Sequence, residues 1–242
     1  MSTIQEEPKK NETKYLNRLL KSRLWSAVGQ FLTTAFIFLG LALLAWGPAH
    51  LIAYFSNPVR TGFAGIVAIQ SVFTAWIVYV TPPHAGPEHR LDVARWHAYI
   101  FETIFVLAAF GDRRGILTWD ENLALRWTGA AIYLIGFALS VWSNTTWTNH
   151  LRREGERAKE IPVLIFDGPF QWIRYPSLLS LTFYCLGFTL MFRSWAGLVL
   201  LLPLIWGIIN RIENMEKIFE VRYRKIWPMR RHTSKRFIPF LY

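Results

Sequence analysis

Pro162-Val163-Leu164-Ile165-Phe166-Asp167-Gly168-Pro169-Phe170-Gln171-Trp172-Ile173-Arg174-Tyr175-Pro176-Ser177-Leu178-Leu179-Ser180 joins a charged segment to an apolar one. Before it, Asn149 to Glu160 carries Arg152, Arg153, Glu154, Glu156, Arg157, Lys159 and Glu160, the composition of a solvated loop. After it, the chain from Ser177 to Asn210 holds one charge, Arg193. A single helix of that length would be roughly 50 Å long at about 1.5 Å per residue, so two short membrane spans turning at Arg193-Ser194 fit better. The quoted stretch therefore stands where the chain enters a membrane, and the fold follows from finding the other spans.

Composition agrees. The chain is 52% hydrophobic and holds twelve Trp, yet carries 27 Lys and Arg against 16 Asp and Glu, which reads as a membrane protein with basic edges. Stretches free of charge run from Leu24 to Val59, Thr61 to Pro87, Trp127 to Leu151 and Pro176 to Phe192. Each approaches or exceeds the roughly 17 to 25 residues that a spanning helix needs. The expected fold is all-α, a polytopic membrane helix bundle of about six spans with a cytosolic amphipathic helix near the C-terminus. The spans are expected at 25–55, 62–80, 96–111, 123–147, 177–192 and 195–210. With that layout 22 basic residues share one side with both termini, while only Arg60, Arg113, Arg114, Arg126 and Arg193 fall on the other. The positive-inside rule makes the basic side cytosolic. A basic surface beside an anionic leaflet needs no nucleic acid as partner. The N-terminal residues lack the apolar core of a signal peptide and read as a retained cytosolic segment. The lone Cys185 excludes an intramolecular disulfide and supports no Cys-based metal site.

Three parts are expected: a cytosolic amphipathic segment over 1–24, N-terminal membrane helices over 25–126 and a C-terminal membrane domain over 127–242. Leu16, Leu19, Leu20 and Leu24 recur at helical spacing among Lys and Arg, the pattern of a helix lying on a membrane surface. Trp46-Gly47-Pro48 should end or kink the first span. The third span holds His97 and Glu102. A carboxylate at membrane depth is costly, so Glu102 is either a functional group facing the bundle interior or a structural hydrogen-bond partner. Thr118-Trp119-Asp120-Glu121 has the spacing of a capping box opening the fourth span. Ile212, Met215, Phe219 and Ile226 lie at helical spacing with charges between them, so 211–227 should form the amphipathic cap, stopped by Pro228.

The pattern Gly168-Pro169-Phe170 followed by Arg174-Tyr175-Pro176 resembles the signature of the isoprenylcysteine carboxyl methyltransferase and phospholipid methyltransferase superfamily, written G-P-Y-x-x-x-R-H-P-x-Y-x-G. The resemblance covers roughly 127–240 and includes Asn149-His150 and the Lys235-Arg236-Phe237-Ile238-Pro239-Phe240 tail. It implies an integral membrane enzyme that moves a methyl group from S-adenosylmethionine to a membrane lipid or lipid-modified acceptor. The cofactor-binding residues it implies are Val163, Leu164, Ile165, Gly168, Phe170, Arg174, Tyr175, Pro176, Ser177 and Leu178. Three positions depart from the signature: Tyr175 stands for His, Leu178 for Tyr and Ser180 for Gly. The superfamily's second motif, an Arg followed by paired Glu on the last helix, falls on Arg211, Met215 and Glu216, so one acid is lost.

Methyl transfer from a sulfonium asks mainly for two reactants held in line. The candidates for a catalytic part are Arg211, Glu216 and Glu102, with Arg211 placed to grip an acceptor carboxylate or phosphate. A carboxylate acceptor needs no base; an amine or thiol must lose a proton, for which His150 or Glu102 would serve. Two alternatives stand beside this: a nicotinamide-dependent membrane reductase of related fold, and a non-catalytic membrane binding or scaffold protein.

Overall fold

Gly47, at φ +107°, takes a backbone conformation open to glycine, and there the first long helix ends. In the computed structural model, which describes residues 6–82, 96–155 and 164–236, every regular element of the described residues is helical. The first helix, α1 (Glu6–Ala35), passes through one π-helical turn (Phe36–Gly40) into α2 (Leu41–Trp46). The extra residue of that turn aims Phe38 into the interior, where its ring meets Phe101, Phe105, Tyr133 and Tyr184 edge-on. A 3-10 turn (Pro48–His50) and the short α3 (Leu51–Phe55) lead to α4 (Pro58–Val80), capped by the Asn57 side chain. There follow α5 (Trp96–Arg114), α6 (Leu123–Glu154), α7 (Pro176–Met191), α8 (Trp195–Arg222) and α9 (Trp227–Thr233).

Four of these helical stretches, Lys21–Trp46, Pro58–Val80, Leu123–Glu154 and Trp195–Val221, are long and apolar enough to cross a membrane. The helices α5 and α7, with 19 and 16 residues, are shorter. Contacts nevertheless sort the ends of all of them into two sets. At one end Arg60 opens α4, Asp112 closes α5, Arg126 opens α6 and Arg193 sits in the α7–α8 turn, and the four side chains meet. Arg113 donates to the Trp46 carbonyl at that same end. At the other end the Thr81 and Thr148 hydroxyls lie 2.7 Å apart, Arg152 donates to the Val80 carbonyl, and Arg211 stands 3.3 Å from His97 Nε2. The helices thus run alternately between a motif end and a far end.

Small residues let them approach. A Cβ on Gly187 of α7 would lie 2.6 Å from the Gly129 carbonyl oxygen of α6, and one on Gly129 would lie 2.6 Å from the Gly187 oxygen. The backbones touch there, as they do where small residues line membrane helix interfaces. Around this crossing Phe105 stacks on Phe188 with centroids 3.9 Å apart, and Phe188 on Phe192 at 4.2 Å.

The far end holds a buried ion cluster. Asp112, fully shielded, accepts from Arg126 at 2.7 Å, Arg193 at 2.9 Å and Arg60 at 3.0 Å. Glu121, at the exposed rim, accepts from Arg126 at 2.6 and 2.8 Å. That bond holds the Glu121 carboxyl below its usual range. Three of the five basic residues expected on the far side therefore meet at Asp112, and a fourth, Arg113, ties α5 to the end of α2.

Several expected boundaries are corrected. No break separates a surface helix from the first span, since nothing between Lys21 and Trp25 interrupts α1; the side chains of residues 6–20, and the amphipathic face expected there, lie outside the described residues. The α6 helix starts one turn later than the capping box, with Asn122 as its cap, because Thr118 pairs with Ser194 and Glu121 is held by Arg126. It also runs on past Trp147 to Glu154, where Gly155 at φ +57° ends it, so the first residues of the expected loop are helical. At the chain's other end α8 continues through Arg211 without pause to Arg222. Pro228 opens α9 instead of stopping a helix, as proline can in a first turn, where no partner for its nitrogen is needed.

Candidate functional site

The glycine of the quoted stretch is shaped by the end of α6. Gly168 has φ +57°, and a Cβ there would lie 2.6 Å from Thr146 Oγ1 and 3.2 Å from Trp142 Nε1. Its backbone therefore lies directly on α6. Pro169 is buried and starts a 3-10 turn (Gly168–Gln171), which returns through hydrogen bonds from Trp172 and Ile173 to the Pro169 carbonyl. The Trp172 ring meets Trp142 edge-on at 5.7 Å.

The loop is then stitched to the C-terminal segment. The Arg174 amide donates to the Lys235 carbonyl at 2.8 Å and the Lys235 amide to the Trp172 carbonyl at 2.9 Å, a parallel bridge centred on Ile173 and Lys235. Tyr175 caps α7, and Pro176 takes its first position, where it fixes φ and needs no donor.

The side chains close on Glu216. Arg174 donates to Glu216 Oε1, and Arg236 reaches Glu216 Oε2 at 2.8 and 2.9 Å. Both Arg174 and Glu216 side chains are more than nine-tenths buried. A third guanidinium, Arg230 of α9, donates to the Phe170 carbonyl at 2.6 Å and lies 4.6 Å from the Phe166 ring centre. Burial, and then the nearby Arg174 charge, push Arg230 down to about 10. Arg174 is lowered too, by burial first, although Glu216 opposes the shift. Tyr175, ringed by Glu216, Arg174, Arg236 and Arg230, is raised chiefly by burial and stays a neutral phenol. Its hydroxyl and the Arg174 Nε are buried without a hydrogen-bond partner among the described residues.

Of the residues expected to hold a cofactor, Gly168, Phe170, Arg174, Tyr175 and Pro176 are gathered in this loop, with Ile165 buried and Leu164 half-buried leading into it. Ser177 is exposed on the first turn of α7, Leu178 packs half-buried against the core, and Val163 lies outside the described residues. Among the three catalytic candidates, Glu216 contacts the loop. Arg211 lies against His97 of α5, and Glu102, half-buried on α5, joins none of the hydrogen bonds or ion pairs around the loop. Met215 turns into the apolar core. His150 comes close to the loop, its Nδ1 3.7 Å from Asp167 and its Nε2 3.8 Å from Glu154.

Arg230 and Arg236 are not among the candidates read from the sequence, where Arg174 and Arg211 are the cations given a part in the site. Arg236 had a signal, its place beside the hydrophobic-Pro-hydrophobic tail. Arg230 had none, since an arginine in a basic cap looks like any other until the chain folds back onto Phe170.

Residues 124–223 match the model of the phospholipid methyltransferase family. The matched part, which contains α6, the loop, α7 and α8, is similar to that family of integral membrane methyltransferases. No curated protein and no solved structure matches the chain.

Proposed function

We propose that the protein is a membrane-bound enzyme that transfers a methyl group from S-adenosylmethionine to a lipid-linked or hydrophobic acceptor at the cytosolic face of its membrane. One observation carries this: the family match spans both the loop at Gly168 and the helix bearing Glu216, the two pieces that Arg174 joins. The alternating helices and the 22 basic residues on the motif side support a six-span layout with that end cytosolic.

The local chemistry suits such a donor. Half-buried Leu164 and Phe170 offer faces for a ring system, and buried guanidiniums stand ready for a carboxylate. When bound, S-adenosylmethionine supplies an electrophilic methyl group on a sulfonium. The chain's part is to hold the reactants in line and exclude water. Glu216 does this through others, by fixing Arg174 and Arg236 against the loop. For an amine acceptor His150, flanked by Asp167 and Glu154, is the group beside the loop able to take the proton.

The test is transfer of label from methyl-labelled S-adenosylmethionine to a lipid extract by the purified protein. Label in the organic phase, absent with Arg174→Ala, supports the proposal. Failure of the parent protein to label any lipid, with reduction of a sterol by NADPH instead, would move it to the reductase reading.

A further inference from the structure

The far-end cluster gives a common level from which the helices can be measured. Arg60 of α4, Asp112 of α5, Arg126 of α6 and Arg193 before α8 meet there. Toward the motif end their uncharged lengths differ. α4 holds no charge from Thr61 to its end at Val80 and α6 none from Trp127 to Leu151, runs of about 30 Å and about 37 Å at the helical rise. On α8 the run is Trp195 to Asn210, about 24 Å, and on α5 it is Thr103 to Gly111, about 14 Å, ended by Glu102. The hydrocarbon of a bilayer is about 30 Å thick. α4 and α6 reach across it from the cluster; α5 and α8, which lie against each other at His97 and Arg211, do not. The polar groups at the short ends agree. Arg193 stands against Asp112 and Arg211 against His97, which fixes α5 and α8 in antiparallel register. Glu102, five residues in from His97, is therefore level with Trp206, five residues in from Arg211. Glu102 is half-buried beside exposed Tyr99 and Thr103, with no hydrogen bond or ion pair among the described residues. Trp206 is 62% exposed. A carboxylate left in hydrocarbon is costly, and exposed Trp marks the headgroup level. Both put the membrane boundary on this side about 20 Å from the cluster, because Trp206 is 13 residues from Arg193.

We propose that the face formed by α5 and α8 fits a locally thinned bilayer, with hydrocarbon of about 20 to 24 Å there against about 30 Å beside α4. The partner is a phospholipid leaflet whose headgroup layer dips to Glu102 and Trp206, where water and headgroup ammonium groups solvate the carboxylate. A short span cannot escape the mismatch by tilting, because tilt shortens its reach. The helices cannot slide either, since Asp112 holds their far ends and the Arg174–Glu216 pair ties α8 to the loop. The lipid yields instead, at a modest cost for each ångström of thinning. The inference takes the membrane layout of the proposed function and none of its chemistry, so a protein that transfers no methyl group keeps it.

The test uses the full-length protein in dioleoyl phosphatidylcholine nanodiscs, with a nitroxide on one introduced cysteine; native Cys185 is buried. Val72 of α4 is 61% exposed and 12 residues from Arg60, so it stands at nearly the height of Trp206. Contact with a water-soluble nickel chelate, relative to contact with oxygen, should be several-fold greater at Trp206→Cys than at Val72→Cys. Equal, low contact at the two positions overturns the inference and leaves the layout standing. Leu202→Cys, one turn deeper on α8 at a position 71% exposed, should be shielded. Nickel contact there as great as at Trp206→Cys overturns the layout and the inference with it, so the two failures are distinguishable. A second measurement reads Glu102. The thermal unfolding midpoint should fall from dioleoyl to dierucoyl phosphatidylcholine, whose longer chains force the carboxylate into hydrocarbon, and Glu102→Leu should lose most of that fall. A midpoint that holds or rises in the longer lipid, or a fall as large in Glu102→Leu as in the parent, overturns the thinned face.

Discussion

Glu216 shows how much one carboxylate holds at this end of the molecule. Its two oxygens take Arg174 and Arg236 separately, both from segments distant in sequence. Replacing it with Gln keeps the shape and takes the carboxylate away from the buried Arg174 guanidinium. The expected loss is about 3 kcal/mol of stability, near the lower edge for breaking a buried pair because Arg236 is a quarter exposed; denaturant unfolding of the purified variant measures it. Gly168 offers a second residue-scale check. Alanine there meets Thr146 Oγ1 at 2.6 Å with φ at +57°, so Gly168→Ala should cost about 1 to 2 kcal/mol. Shortening Thr146 to Ala should recover the steric part alone, which a double-mutant cycle would read. A bulkier Gly168→Val should disturb the loop first through the same packing on α6. Glu216 was legible as a candidate because the second motif fell on its helix. Of its two partners Arg174 was read from the signature but Arg236 was not, because spacing along a helix tells which face a residue takes and says nothing of which segment will cover that face.

Among the elements, the α6–α7 crossing admits least change. The backbones at Gly129 and Gly187 leave no room for a side chain, since atoms of either peptide stand 2.6 Å from where a Cβ would go. Gly187→Val should therefore push the helices apart and unstack Phe188 from Phe105. The expected outcome is loss of a monodisperse peak on size exclusion in detergent, whereas Gly65→Ala on α4, with open space around it, should elute as the parent does. Helix existence was readable from the apolar stretches, and the turn at Arg193-Ser194 was placed correctly, with Ser194 capping α8 through its hydroxyl. Helix ends were read less well. Charged residues at 149–154 and 211–222 look like loop and cap in sequence, yet a helix crosses a membrane boundary without stopping when no glycine or proline breaks it, as α6 and α8 both do.

For the molecule as a whole, the two ends have separate work: the far end clasps helix ends through Asp112, and the motif end gathers the loop, α8 and the C-terminal segment. Arg60, Asp112, Arg126 and Arg193 come from four parts of the chain, so no local pattern announces their meeting, and the sequence offered only their shared side. That sidedness can be checked. Cysteines at Lys9, Arg157 or Lys235 should resist an impermeant maleimide in intact cells, while Ile116→Cys, exposed in the far-end turn, should label; native Cys185 is buried and should stay silent. Labelling at the first three with none at Ile116 would invert the topology. The claim at the centre, that the loop at Gly168 with Arg174 and Glu216 forms a methyl-donor site, is tested most directly by thermal unfolding of the purified protein with S-adenosylmethionine, its demethylated product or NADPH. Selective binding to the native state raises the midpoint. The expected result is a saturable rise with S-adenosylmethionine and with its product, absent in Arg174→Ala, and no rise with NADPH; a rise with NADPH alone, or with none of the three, would contradict it.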